Sequence, residues 1–181
     1  RSLFDKYGGF ASVSKVVSAF YDKAVDSDII GPYFDDIDMR AQVDHQTKFI
    51  SSLMGGPASY SDEALQKVHS GLHIDRTSFE EMVKLLHDSV GCFKVGLELF
   101  VREGPDILKL IKDHSSAEIF LDLKLHDIPA TVRGALRSAA KLGVKYITIH
   151  STEGEAILEA SKEVKDSGLE VLAVTLLTSM G

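Results

Sequence analysis

Cysteine is almost absent from this chain, which has Cys92 alone among 181 residues. That excludes a disulfide framework and a thiolate metal cluster. No apolar run approaches the roughly 20 residues that span a bilayer, and no basic-then-apolar secretion segment opens the sequence. Positive charge is also short. Lys and Arg number 20 against 27 Asp and Glu, a formal charge of -7, which argues against general affinity for nucleic acid or anionic lipid. Cytoplasm is therefore the expected location. With 44% hydrophobic and 26% charged residues the chain is expected to fold, as one full-sized domain or two small ones. It begins at Arg1 and closes on "LLTSMG", a strand running into a loop, so a fragment is the expectation.

The two halves differ in texture. Residues 1 to 89 carry a helical period and no run that reads as a strand. "SVSKVVSAFYDKAV" sets Val13, Val16, Val17, Phe20, Tyr21 and Ala24 at helical spacing. In "DMRAQVDHQTKFISSLM", Asp38 is a cap candidate and Val43, Thr47, Ile50 and Met54 run down one side. "GGP" stops that helix. "SDEALQKVHSGL" reads as a short helix ending near Gly71, and "DRTSFEEMVKLLHDSV" as a strong one with Phe79, Met82, Val83 and Leu86 on one side. From residue 91 the period changes. "CFKVGLEL", "EIFLDLKL", "YITIH" and "VLAVTLL" are short β-rich runs separated by helical stretches, the pattern of βα units and a parallel sheet. About four such units make roughly half of an eight-stranded barrel. Gly143 and Gly168 fit helix-ending turns. The boundary is expected near Asp88–Gly91, without a flexible linker, giving domains 1–89 and 90–181.

In the helical half, a haem pocket would need an imidazole ligand, an aromatic wall and a polar distal group. His69 precedes "SGL", and His45 and His73 are rival ligands. Tyr21 lies on an otherwise apolar face, and Gln42 and Gln46, four apart, can face one point. Ordinary surface or core histidines in a small helical domain fit the spacing as well. The ordered motifs "LFDKYGG", "FY", "HQ", "GGP" and "VHSGL" resemble a truncated haemoglobin, most like group I. This resemblance covers residues 2 to about 89. It implies haem b with His69 as the proximal iron ligand, Tyr21, Gln42 and Gln46 on the distal side, and Phe34 against the porphyrin. His45 would lie near the pocket mouth. O2 or NO would be the ligand, and the phenol with its two amides a donor network suited to it. The family's last helix is not found before "GCFKVGLELF" begins.

In the second half, Asp122 and Lys124 are two apart in a strand and share a face, with Leu121, Leu123 and Leu125 pointing the other way. Asp127 lies just past the strand end, where barrel active sites collect. Lys94 in "CFKVG" can add a second cation. A solvent-facing strand could carry the same charges, but barrel strands are covered on both sides, so charges there must be paired. The stretches "VGCFKVGLELF", "FLDLKLHDIP.TV" and "VLAVTLLTSM" resemble orotidine 5'-phosphate decarboxylase, from about Val90 to Gly181. The resemblance implies decarboxylation of orotidine 5'-phosphate to UMP, in pyrimidine synthesis, without metal or organic cofactor. Lys124 would be the proton donor to C6, Asp122 the carboxylate beside the departing CO2 group, and Lys94 a cation holding the network and a ribose hydroxyl. Asp127 and Thr131 would reach the partner's site in a homodimer, and Thr178 or Ser179 would contact the base. Ala130 stands where this family usually has Asn.

That chemistry suits the residues. Loss of CO2 leaves a poorly delocalised carbanion, which a fixed ammonium stabilises and then protonates. The family's first strand with its aspartate is not found ahead of Lys94, and its phosphate-gripping Gln and Arg would lie beyond Gly181. No useful decarboxylase turnover is therefore expected from these residues. Three functions stand side by side: the decarboxylase, a haem module binding O2 or NO, and a non-functional chimera.

Overall fold

The computed structural model describes residues 2–57, 74–151, 154, 159 and 161–175. The chain divides into two compact units, Arg1–Leu86 and His87–Gly181. The described part of the first is helical and the second contains a parallel sheet, as the change of period predicts.

Unit 1 opens with the single turn α1 (Leu3–Lys6), closed by a reciprocal capping box between Ser2 and Asp5. Helix α2 (Gly9–Val25) follows, then a 3-10 turn (Gly31–Phe34). Asp38 caps α3 (Met39–Leu53), accepting from the backbone N–H groups of Arg40 and Ala41 at 3.0 and 3.2 Å. Helix α4 (Arg76–Leu86) starts beside Asp75, whose carboxylate accepts from Ser78 N–H at 2.7 Å. That bond holds the Asp75 carboxyl below its usual range. The core gathers Val13, Val17, Tyr21, Ala24 and Ile30, with Val43, Ile50, Met54 and Leu85 packed on it. Val16 departs from the expectation: it is 68% exposed. Residues 13, 17, 21 and 24 already fill the buried stripe, and Val16 lies beside it. The short helix expected over "SDEALQKVHSGL" lies outside the described residues, as do His69 and His73.

Unit 2 holds β1 (Cys92–Gly96), α5 (Leu97–Glu103), α6 (Asp106–His114), β2 (Glu118–Leu125), α7 (Pro129–Lys141), β3 (Tyr146–His150) and β4 (Glu170–Val174). The strands are parallel in the order β1-β2-β3-β4. The first strand is shorter than its apolar run predicts. "LEL" belongs to α5, because the chain turns into a helix at Gly96 and ends it at Gly104, at φ 65. Gly143 and Gly168 close the later helical stretches at φ 65 and 81, where a side chain would be strained. Residues 153, 155–158 and 160 of "EGEAILEASKEVKDSG", and "TLLTSMG" beyond Thr175, lie outside the described residues.

Register divides the sheet into two faces. Phe93 and Val95, Ile119 and Leu121, and Ile147 and Ile149 are buried on one. With α6 contributing Ile107, Leu108, Leu110 and Ile111, and α7 Val132, Leu136 and Ala139, these form the core. Each fully buried aliphatic of this set stabilises the unit by about 1.5–3 kcal/mol. Lys94, Phe120, Asp122, Tyr146 and Thr148 occupy the other face.

Candidate functional sites

The charged cluster of unit 2 is built by register. Lys94 pairs with Phe120 and Gly96 with Asp122, so Lys94 and Asp122 project from the same side of neighbouring strands. Lys124 Nζ lies 2.8 and 2.9 Å from the two Asp122 oxygens, and Lys94 Nζ lies 3.3 Å from Oδ2. The Asp122 side chain is 12% exposed, against 40% for Lys124 and 57% for Lys94. Burial pushes the Asp122 carboxyl up, but hydrogen bonds from Lys124, Thr148 and Lys94, with the Lys94 charge, outweigh it and bring the group below its ordinary value. The result is a carboxylate that stays ionised between two ammonium groups that can reach outward.

The backbone beneath the cluster is irregular. Leu121 pairs with Ile147 and Leu125 with Ile149, so three residues of β2 face Thr148 alone. Within that bulge Lys124 takes φ 49, the sole positive φ for a non-glycine among the described residues. The strict alternation read from the sequence therefore fails past Leu121. Leu121 is buried, whereas Leu123 and Leu125 are half-buried. The extra residues and the left-handed turn at Lys124 break the period of two.

Thr148 is the member that sequence reasoning missed. It is 4% exposed, accepts from Lys124 N–H at 2.8 Å and donates to Asp122 Oδ1 at 2.9 Å. A signal was present: a threonine between two isoleucines in "YITIH", at even spacing from Tyr146 and His150. Asp127 and Thr131 are not brought into the cluster. Both are exposed, and the Asp127 carboxylate accepts from Ile128 N–H at 2.7 Å. Thr178 and Ser179 lie outside the described residues.

In unit 1, Tyr21 is 7% exposed and its hydroxyl accepts from Gln42 Nε2 at 2.8 Å. The Phe34 ring stands edge-on to Tyr21, with centroids 5.5 Å apart. Phe34 also lines an apolar cavity of about 90 Å³, with Phe20, Tyr33, Ile74 and Met82. Gln46 is half-buried one turn beyond Gln42 and does not join the Tyr21 bond, and His45 is exposed. A buried phenol bonded to a half-buried amide, beside an aromatic ring, is a donor set of the kind a haem pocket would use. Among the described residues no group of three or more His, Cys, Asp and Glu could hold a metal ion, and no helix is long and apolar enough to cross a membrane.

The described part of one unit is thus helical with a buried tyrosine bonded to a half-buried amide, and the other is a βα unit with a Lys–Asp–Lys cluster on its sheet. The chain belongs to the orotidine 5'-phosphate decarboxylase / HUMPS family, whose model matches residues 65–181, and to the bacterial-like globin family, whose model matches residues 2–98. The two matches overlap over 65–98, which includes all of α4. By packing, α4 lies in unit 1, where Ser78 Oγ is 3.1 Å from the Tyr33 hydroxyl and Glu81 accepts from Ser27.

The chain is 44% identical over 126 residues to orotidine 5'-phosphate decarboxylase of Syntrophotalea carbinolica, covering 65% of this chain and 51% of that protein. It is 50% identical over 101 residues to the decarboxylase of Desulfosudis oleivorans, covering 55% and 41%. The crystal structure of orotidine 5'-monophosphate decarboxylase from Methanocaldococcus jannaschii is similar with a TM-score of 0.53 at 30% identity, over 58% of this chain and 52% of that one. The chain spans about half the length of the curated relatives it matches.

Proposed function

We propose that unit 2 carries the charged core of an orotidine 5'-phosphate decarboxylase site. The observation that supports this is the contact of Lys124 Nζ with both Asp122 oxygens, with Lys94 on the same carboxylate. In this reading Asp122 disfavours the substrate's own carboxylate. Lys124, 40% exposed, stabilises the carbanion left at C6 as CO2 departs and gives it a proton. Lys94 holds the carboxylate and takes a ribose hydroxyl. Asp127 and Thr131 complete the site of a partner in a homodimer, and Thr178 or Ser179 meets the base. The proposal is confined to this ion cluster, from which little turnover is expected.

Titration with orotidine 5'-phosphate tests this, followed by NMR at Lys94, Asp122 and Lys124 alongside CO2 release. Saturable changes at the three residues, removed by Lys124→Ala, are expected, with release near background. No change at the cluster at any nucleotide concentration would sink the nucleotide reading. Sustained release would overturn the claim of weak turnover.

The Tyr21–Gln42 pair favours a second reading for the other unit. We propose that unit 1 is a haem-binding unit of the truncated-haemoglobin type, group I-like, with His69 as the iron ligand. Haem b would supply the iron that takes O2 or NO. Tyr21 and Gln42 would offer hydrogen bonds on the distal side, with Gln46 near them, Phe34 would pack on the ring, and His45 would sit towards the mouth. A Soret band on adding haem, lost in His69→Ala, is expected. Absence of the band at every haem concentration would refute it.

A further inference from the structure

Lys124 and Asp122 meet in a place where the sheet has lost its regular ladder. Three residues of β2, Asp122 to Lys124, face the single residue Thr148. A backbone N–H in such a bulge loses its ladder partner and must find another. For Lys124 the partner is a side chain: its N–H donates to Thr148 Oγ1 at 2.8 Å. The same oxygen donates its own hydrogen to Asp122 Oδ1 at 2.9 Å. Lys124 holds φ 49 there, a conformation that a lysine adopts only when its surroundings enforce it.

We infer that Thr148 is a positioning residue of this site. Its one hydroxyl fixes the left-handed backbone of Lys124 and orients the Asp122 carboxylate towards the two ammonium groups. The hydroxyl's donor and acceptor roles are both used, so its direction is set. At 4% exposure, water cannot readily take over either bond. Thr148 need not touch a substrate, because it acts through Lys124 and Asp122. Asp122 Oδ1 takes bonds from both Thr148 and Lys124 Nζ, and Oδ2 takes those from Lys124 and Lys94. Losing the hydroxyl would free one edge of the carboxylate to rotate and would leave the Lys124 N–H unpaired.

This inference rests on the decarboxylase reading for its purpose but not for its test. In the unmodified chain, the Lys124 amide is expected to exchange with solvent slowly, and the Asp122 carboxyl to titrate below an ordinary aspartate. Thr148→Val keeps the shape and removes the hydroxyl. It is expected to speed Lys124 amide exchange by about tenfold, the worth of one hydrogen bond, and to move the Asp122 titration up. Thr148→Ser restores the hydroxyl and is expected to return both readouts towards the unmodified chain. A merely structural role for the threonine methyl would leave Thr148→Val like the unmodified chain on both readouts, and that result overturns the inference. Fast Lys124 exchange in the unmodified chain also overturns it, and needs no variant to fold. Neither readout involves turnover, so a failed nucleotide titration with both intact removes the decarboxylase reading and leaves the role of Thr148 standing.

Discussion

Unit 1 sets Tyr21, bonded to the half-buried Gln42, into a helical core, whereas unit 2 sets an ionised trio on one face of a sheet. The tyrosine can be 7% exposed because one hydrogen bond satisfies its hydroxyl and its ring gains from burial. The trio grades outward instead, from Asp122 at 12% through Lys124 at 40% to Lys94 at 57%. Removing all three charges from water would cost more than their mutual attraction returns. Only the carboxylate, which has three hydrogen-bonding partners, approaches the interior. Burial depth therefore follows how fully each polar group is paired.

The sharpest way to separate the two units is through their cores. Leu136 is fully buried on α7, so Leu136→Ala should destabilise unit 2 by about 2–5 kcal/mol. Amide exchange in α2 and α3 should stay unchanged, and a parallel loss there would show that the units do not stand on separate cores. A smaller effect is expected from Tyr21→Phe, which should lower the stability of unit 1 by about 1 kcal/mol in urea unfolding by removing the bond from Gln42.

The charged trio adds a pH dependence. The folded Asp122 carboxyl binds its proton less readily than the unfolded one. Its contribution is complete above an unfolded pKa of about 3.9 and is lost as pH falls through the lower folded value. Urea midpoints of unit 2 should fall over that acidic window, and Asp122→Asn should flatten the fall. The smallest effect concerns Cys92. Burial, then the Glu118 charge, pushes its thiol up, so alkylation at neutral pH should run slower than for free cysteine and quicken slightly in Glu118→Gln.

Much of the fold was legible because period and punctuation agree. "EIFLDLKL" and "YITIH" match their strands residue for residue, and Asp38 caps the helix it precedes. Lys94, Asp122 and Lys124 could be placed together since parallel neighbours share faces. Helix α5 was hidden because "GLELF" is as apolar as the strand before it, and only Gly96 and Gly104 bracket it. The bulge at Lys124 was hidden for a different reason. It is fixed by a hydroxyl on β3, 24 residues away in sequence, and no local pattern reports such a bond.

Lys124 also sets two kinds of fitness against each other. At φ 49 a glycine would sit at ease, and a lysine does not. A chain selected for durability alone would drift towards glycine or asparagine at this position and lose the ammonium on the way. On the decarboxylase reading, lysine in a conformation that suits glycine gives up some stability to place an ammonium here. Among descendants of this sequence, that single position would be an early place to see that arrangement relax.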